Sequence, residues 1–399
     1  MKRRLKRAMT AAALTGTVIA ATAGWAAGSQ QTAVTGPPPG AASWRADTSA
    51  LGRTLPDPEK ARPDQVAAFF SGLTPHRQQA LVRRHPLVAG NLDGAPVSLR
   101  YAANRRALRA ELTRHQSRAR DAALTSQDRR QAHSKAARYA QLLVRGRQIL
   151  AFDPRGRGQV AEVYGNLAAA QRTAVVVPGS DIDLATFDSK GANKYGTPAG
   201  MAQSLRDGMA EAKAGTRTAV IAWVGYTTPV GLGPDAATAR LSDAGAPRLE
   251  RFLHGLAAQP GVPAPTLLCH SYGSVVCGKA AHKLTRHDAA DLVVFGSPGM
   301  HADSAARLGT RLRVWAARDA GDWIARVPNV QFLGLGHGAD PAADDFGARV
   351  VSSVRADGHT GYLEPGTDSR ANFAAITLGS YEAVHCAARS QQCANGVSS

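Results

Sequence analysis

Past residue 27 the sequence holds no apolar run long enough to cross a bilayer, which excludes a stable membrane span in the processed chain. It has only 4 cysteines and no Cys-x-x-Cys pair, so metal-ligand spacing is missing and neither zinc nor any other metal is expected. Aromatic residues make up 6%, and none are interleaved with the arginines as on a nucleic-acid surface. Acidic residues are also short, 30 against 48 Lys and Arg, leaving a net charge of +18. Such an excess concentrates polyanions. Part of it, however, sits in a short head of Lys2, Arg3, Arg4, Lys6 and Arg7 placed before an apolar run, which is the layout of a targeting segment.

That head and the Ala/Thr/Gly-rich stretch behind it read as a signal peptide over 1–27, with small residues at Ala26 and Ala27 to suit a peptidase. Arg3-Arg4 has the form of a twin-arginine signal without the rest of its pattern. A secreted or cell-envelope protein is the expectation. An even cysteine count in an exported chain permits two disulfides, and sequence-local pairing joins Cys269 to Cys277 and Cys386 to Cys393, with four reduced thiols as the alternative.

Residues 28–60 are rich in Pro, Gly and Ser, lack apolar periodicity and read as a flexible linker. From 61 to 147 the signals are helical. Thr74-Pro75 starts a helix that Pro86 stops, Tyr101, Leu108 and Leu112 fall at helical spacing, and Ser126 caps a further helix toward Leu142. Beyond 147, short apolar runs such as "TAVVVPG", "TAVIAWVGY", "PTLLCH", "DLVVFGSPG" and "RLRVWAARD" alternate with helical stretches. Continuously apolar strands are covered on both faces, so 148–399 reads as an α/β domain on a mostly parallel sheet, with function gathered beyond the strands' carboxyl ends.

One of those ends carries a serine on a tight corner. "CHSYG", residues 269–273, departs from the G-x-S-x-G of a nucleophile elbow only in its first glycine, which Cys269 replaces. A serine hydroxyl attacks only when a base takes its proton, and a sharp strand-to-helix turn exposes the oxygen to that base. In this fold the acid and then the histidine follow in the chain. Asp322, in the loop after "RLRVWAA", is the favoured acid and Asp319 the alternate; His359, in "DGHTGY", is the favoured base and His337 the alternate. His270 reads as a packing or turn residue. Oxyanion donors fall to the amide of Tyr272 and to Gly179 and Ser180 in "VVVPGSDID". Trp223, Tyr226 and Trp323 stand near the same strand ends, as acyl-pocket lining or as plain core.

With "RRHPLVAGNLDGAPVSLRYAANR", "AWVGYTTPVGL", "CHSYGSVVCGKAA", "VVFGSPGM", "DWIARVP", "LGLGHGADP" and "GHTGYLEPGTDSRANFAAI" in one order, the chain resembles a family of exported bacterial α/β-hydrolases, largely uncharacterised and distantly similar to cutinases and lipases. The resemblance covers residues 61–385. It implies the α/β-hydrolase fold, the trio Ser271, Asp322 and His359, an oxyanion site at Tyr272 and Gly179-Ser180, and a helical half packed on the catalytic core; it supplies no substrate. The expectation is an exported serine hydrolase that cleaves an ester or related acyl bond of a small-molecule or lipid substrate through an acyl-enzyme, without cofactor and without nucleic acid. An acyltransferase with the same trio is one rival. A non-catalytic envelope protein that binds anionic polymers is the other. The oligomeric state is open.

Overall fold

Each of the apolar runs becomes a strand of one sheet. The structure is a computed structural model that describes residues 30–48, 54–327, 329–331, 334–388, 390 and 393–397; the signal peptide read at 1–27 lies outside the described residues. The strands are β1 (Ile149–Asp153), β2 (Gln159–Gly165), β3 (Arg172–Val177), β4 (Thr218–Val224), β5 (Thr266–His270), β6 (Asp291–Phe295), β7 (Arg313–Ala317) and β8 (Arg349–Val350). They form an 8-stranded sheet in the order β1-β2-β4-β3-β5-β6-β7-β8. β1, β2 and β4 pair antiparallel, and every later pairing is parallel. This is the α/β-hydrolase architecture expected from the sequence.

The central strands are apolar on both faces because both faces are covered. Before the sheet come α1 (Ala41–Ala46), α2 (Pro63–Ser71), α3 (Pro75–Arg84), α4 (Pro86–Asn91), α5 (Val97–Arg120) and α6 (Ser126–Leu142); within and after it come α7 (Pro198–Ala212), the short α8 (Pro234–Ala237), α9 (Arg240–Ala257), α10 (Gly273–Ala281) and α11 (Asp368–Leu378). Leu249, Leu253, Val275 and Val276 of α9 and α10 bury one face with Val175, Ile221 and Leu267. Met201, Leu205, Phe373 and Ile376 of α7 and α11 bury the other with Val176, Val220, Leu268 and Val293. Among the described residues no helix is long and apolar enough to cross a membrane.

The helical half is written in local signals. Thr74 accepts the Arg77 amide as N-cap of α3, with Pro75 as its first residue. α6 begins at Ser126, but its cap is Thr125, which accepts the Asp128 amide. This half meets the sheet at β1: Asn91 accepts the Phe152 amide at 3.0 Å and donates to the Phe152 carbonyl at 2.6 Å, so a side chain stands where a neighbouring strand would. Behind it, Ala107, Leu108, Tyr139 and Leu142 share a core with Phe152, Val160 and Val224.

The stretch read as a flexible linker is partly folded where it is described. It supplies α1, whose Trp44 is fully buried among Val66, Phe70 and Leu81 and donates to the Pro56 carbonyl at 2.7 Å. Upstream, the Val34 amide donates to Thr227 at 3.0 Å and Arg155 donates to the Thr35 carbonyl at 3.0 Å. Buried Trp44 and Leu55, the Arg45–Asp57 ion pair and a few backbone bonds hold the segment, and none of them makes a periodic pattern.

Candidate active site

Ser271 occupies the turn between β5 and α10 at φ 53°, one of only a few non-glycine residues in the left-handed region among the described residues. Such a backbone costs about 1–3 kcal/mol and persists where its surroundings over-determine it. The Ser271 amide donates to the Phe295 carbonyl at 3.0 Å, tying the turn to β6. Two glycines press in on it. A Cβ at Gly273 would lie 2.5 Å from the Val177 carbonyl oxygen, and one at Gly179 would lie 2.5 Å from the Ser271 Cβ. At the position where the elbow pattern has its first glycine, Cys269 is fully buried and disulfide-bonded to Cys277, so β5 and α10 are joined covalently across the turn. The second disulfide joins Cys386 to Cys393.

The turn aims the serine at a histidine from the far end of the chain. Ser271 Oγ lies 2.9 Å from His359 Nε2, and His359 Nδ1 lies 2.8 Å from Asp322 Oδ1. With the proton on Nδ1, the imidazole donates to the carboxylate and accepts from the hydroxyl. Asp322 is fully buried at its side chain and His359 nearly so. Burial alone would raise the Asp322 carboxyl; the His359 hydrogen bond and charge, the Ile324 amide and the Tyr362 hydroxyl outweigh it and hold the group below the ordinary aspartate value.

The alternates fall elsewhere. Asp319 accepts the amides of Gly321 at 2.9 Å and Gly358 at 3.1 Å, so it fastens the acid loop to the histidine loop without touching the imidazole. His337 donates to the Ala236 carbonyl at 2.7 Å and stands edge-on to the Tyr272 ring. The sequence-chosen Ser271, Asp322 and His359 are thus brought together and the two alternates are not.

The donors named for an oxyanion border the same hydroxyl. Gly179 and the Tyr272 amide flank Ser271, and among the described residues no acceptor takes the amides of Gly179, Ser180 or Tyr272. Gly179 and Ser180 line, with Ser271, an open cleft of about 530 Å³ whose walls also include Ile182, Leu232, Trp323 and Thr360. The three aromatics divide. Trp323 is partly exposed with its ring 4.6 Å from that of His359, while Trp223 and Tyr226 are buried in the core, where Tyr226 donates to the Pro178 carbonyl at 2.7 Å and stacks between Trp223 and Tyr272.

Two residues here were not legible in the sequence. His270, read as packing, donates from Nε2 to the His359 carbonyl at 2.7 Å and lies with its ring 4.8 Å from the His359 ring. Burial pulls its imidazole down to about 3, with the neighbouring His359 adding to the effect, so it is neutral at ordinary pH. Tyr362 donates to Asp322 Oδ2 at 2.7 Å and accepts the Asp319 amide at 2.9 Å. Its only sequence signal is its place in the "GHTGY" run. Among the described residues no group of three or more His, Cys, Asp or Glu converges as metal ligands would.

Residues 153–332 match a family model described as alpha/beta hydrolase, a range that holds Ser271 and Asp322 and stops before His359. An uncharacterised protein of Mycobacterium tuberculosis is 31% identical over 390 residues, covering 83% of this chain and 57% of the relative. The chain therefore spans little more than half the length of that curated relative. Among solved structures, the crystal structure of esterase PE8 is 18% identical at TM-score 0.27, covering 42% of this chain and 76% of that one. Est1E from Butyrivibrio proteoclasticus is 12% identical at TM-score 0.30, covering 58% and 99%.

Proposed function

We propose, from the match of residues 153–332 to an α/β-hydrolase family model, that this chain is an exported serine hydrolase that cleaves an ester or related acyl bond through an acyl-enzyme. The reading is carried by one observation, the unbroken line from Ser271 Oγ through the His359 imidazole to the Asp322 carboxylate, with links of 2.9 and 2.8 Å. Ser271 Oγ attacks the acyl carbonyl while His359 Nε2 takes its proton; the C–O bond to the leaving group breaks as Nε2 returns that proton to the departing oxygen. Water, deprotonated by the same nitrogen, then attacks the acyl-serine, and the serine oxygen recovers its proton as the acid leaves. Asp322 fixes the tautomer and stabilises the imidazolium. The Tyr272 amide and an amide of the Gly179-Ser180 loop receive the oxyanion.

Export is supported by the basic head before an apolar run and by two disulfides, which persist in oxidising compartments. The acyl group lies in the cleft beside Leu232 and Trp323.

The test is fluorophosphonate labelling together with turnover of a panel of acyl esters. Wild type labels and Ser271→Ala does not. Asp322→Asn lowers kcat by about 10³–10⁴, as loss of the tautomer-fixing carboxylate does, while Asp319→Asn acts only through loop position and costs far less. Labelling that survives Ser271→Ala, or turnover lost in Asp319→Asn with Asp322→Asn untouched, overturns the assignment.

A further inference from the structure

Where the helical half meets the sheet, a second, partly open cavity of about 250 Å³ is bordered by the start of β2, the end of β4, α9 and the segment at residues 36–38. Its walls carry side chains with hydrogen-bond donors that nothing among the described residues accepts. Gln159 is 4% exposed; its Oε1 accepts from Arg248 Nη2 at 2.5 Å, and its Nε2 is buried without a partner among the described residues. Arg251 Nη2 is buried and unpartnered in the same way. Arg248 uses Nε on the Gly225 carbonyl at 2.6 Å and Nη2 on Gln159, which leaves Nη1 without an acceptor. The two buried ones, Gln159 Nε2 and Arg251 Nη2, each cost about 1–3 kcal/mol while unpaired, and they belong to side chains that line one space together with Arg248, which asks for an acceptor from outside.

The charges point the same way. Asp93 is shared between Arg100 at 3.0 Å and Arg251 at 3.8 Å, Asp153 is taken by Arg155, and Glu59 stands at the exposed mouth beside Arg45. No carboxylate among the described residues reaches Arg248 within ion-pair distance, and burial pulls its guanidinium below the usual arginine range. Four arginines line the cavity against these three carboxylates, which leaves one positive charge over. Apart from Asn91, the remaining side chains of the wall are apolar, with Trp223 and Phe252 side by side.

We propose that this cavity is a binding site for a small organic carboxylate, whose oxygens accept from Gln159 Nε2, Arg248 Nη1 and Arg251 Nη2 while its apolar body lies on Trp223 and Phe252. A planar carboxylate matches the guanidinium fork, and a monoanion matches the single uncompensated charge. The volume falls below the ~300–1,000 Å³ of sites for drug-sized ligands, which confines the ligand to a few carbons or one ring. The site is separate from the serine cleft, and its occupancy does not depend on the proposed chemistry there.

Isothermal titration of the full chain with benzoate, benzamide and inorganic phosphate tests it. Benzoate binds with a stoichiometry of about one, and benzamide and phosphate bind at least about tenfold more weakly, as loss of the charge-assisted bonds or of the ring contact requires. Arg248→Met and Arg251→Met each weaken benzoate at least about tenfold; Arg251 holds no backbone carbonyl of the sheet, so its variant keeps the native circular dichroism even if Arg248→Met does not fold. Trp323→Ala, in the serine cleft, leaves benzoate binding unchanged. Absence of benzoate binding, equal binding of benzamide, phosphate binding at least as tightly as benzoate, or loss in Trp323→Ala with Arg251→Met intact overturns the proposal.

Discussion

His359 is gripped from three sides: Asp322 at Nδ1, His270 at its carbonyl, and Asp319 through the preceding Gly358 amide. His270 adds a pH dependence of its own. Its folded value of about 3 lies below the ~6.5 of an unfolded histidine. Between those values the unfolded chain binds a proton that the native one refuses, so this residue's contribution is intact above pH ~6.5. It is lost as pH falls toward ~3, at up to about 1.4 kcal/mol per unit. His270→Gln keeps an N–H for the His359 carbonyl and removes the titration, so its Tm falls less steeply than the wild-type Tm across that window; parallel curves refute this. Tyr362→Phe strips one donor from Asp322, raising the carboxyl toward its ordinary value, and is expected to lower kcat about tenfold with KM little changed, because the oxygen facing His359 keeps its other partners. The trio could be read from sequence because chain order and turn chemistry constrain it. His270 and Tyr362 could not, since their partners come from 89 and 40 residues away and leave no spacing behind.

At the scale of elements, continuous apolarity located the central strands well, whereas β8 is only two residues long: Arg349–Val350 pairs with β7, after which the chain turns toward the histidine loop. Capping chemistry located the two helix starts read from it, at Pro75 and Ser126, to within a residue. The elbow is where packing and chemistry meet. Gly179→Ala sets a methyl within 2.5 Å of the Ser271 Cβ, so it is expected to lower kcat/KM at least about a hundredfold while the secondary structure stays native by circular dichroism. The Cys269–Cys277 bond closes a small loop around Ser271, and such a cross-link contributes about 2–3 kcal/mol. Replacing both cysteines by alanine keeps a small side chain at the elbow. Denaturant melts are therefore expected to show that loss of stability, with kcat changed by no more than about threefold; a collapse of kcat without loss of stability contradicts this.

For the whole molecule, the boundary between helical half and sheet is drawn through shared side chains. Asn91 serves both polar groups of Phe152, and buried Asn104 donates to the Gly90 and Ile149 carbonyls. Asn91→Ala orphans a strand amide and carbonyl and is expected to cost about 1–3 kcal/mol in denaturant melts, with both halves still unfolding in one transition by far-UV and fluorescence probes. Composition alone drew 28–60 as a tether because one buried tryptophan carries no periodicity.

Asn91 also has a counterpart at the opposite margin of the sheet, where Ala387 donates to the Val350 carbonyl, Val351 bridges Cys386, and the second disulfide fastens that tail. Each outer strand thus has part of its free edge taken, by a side chain at Phe152 and by the tail at Val350. A second copy arriving edge-on meets these covers first, and folded molecules at high concentration are thereby hindered from fibrillar growth by strand addition.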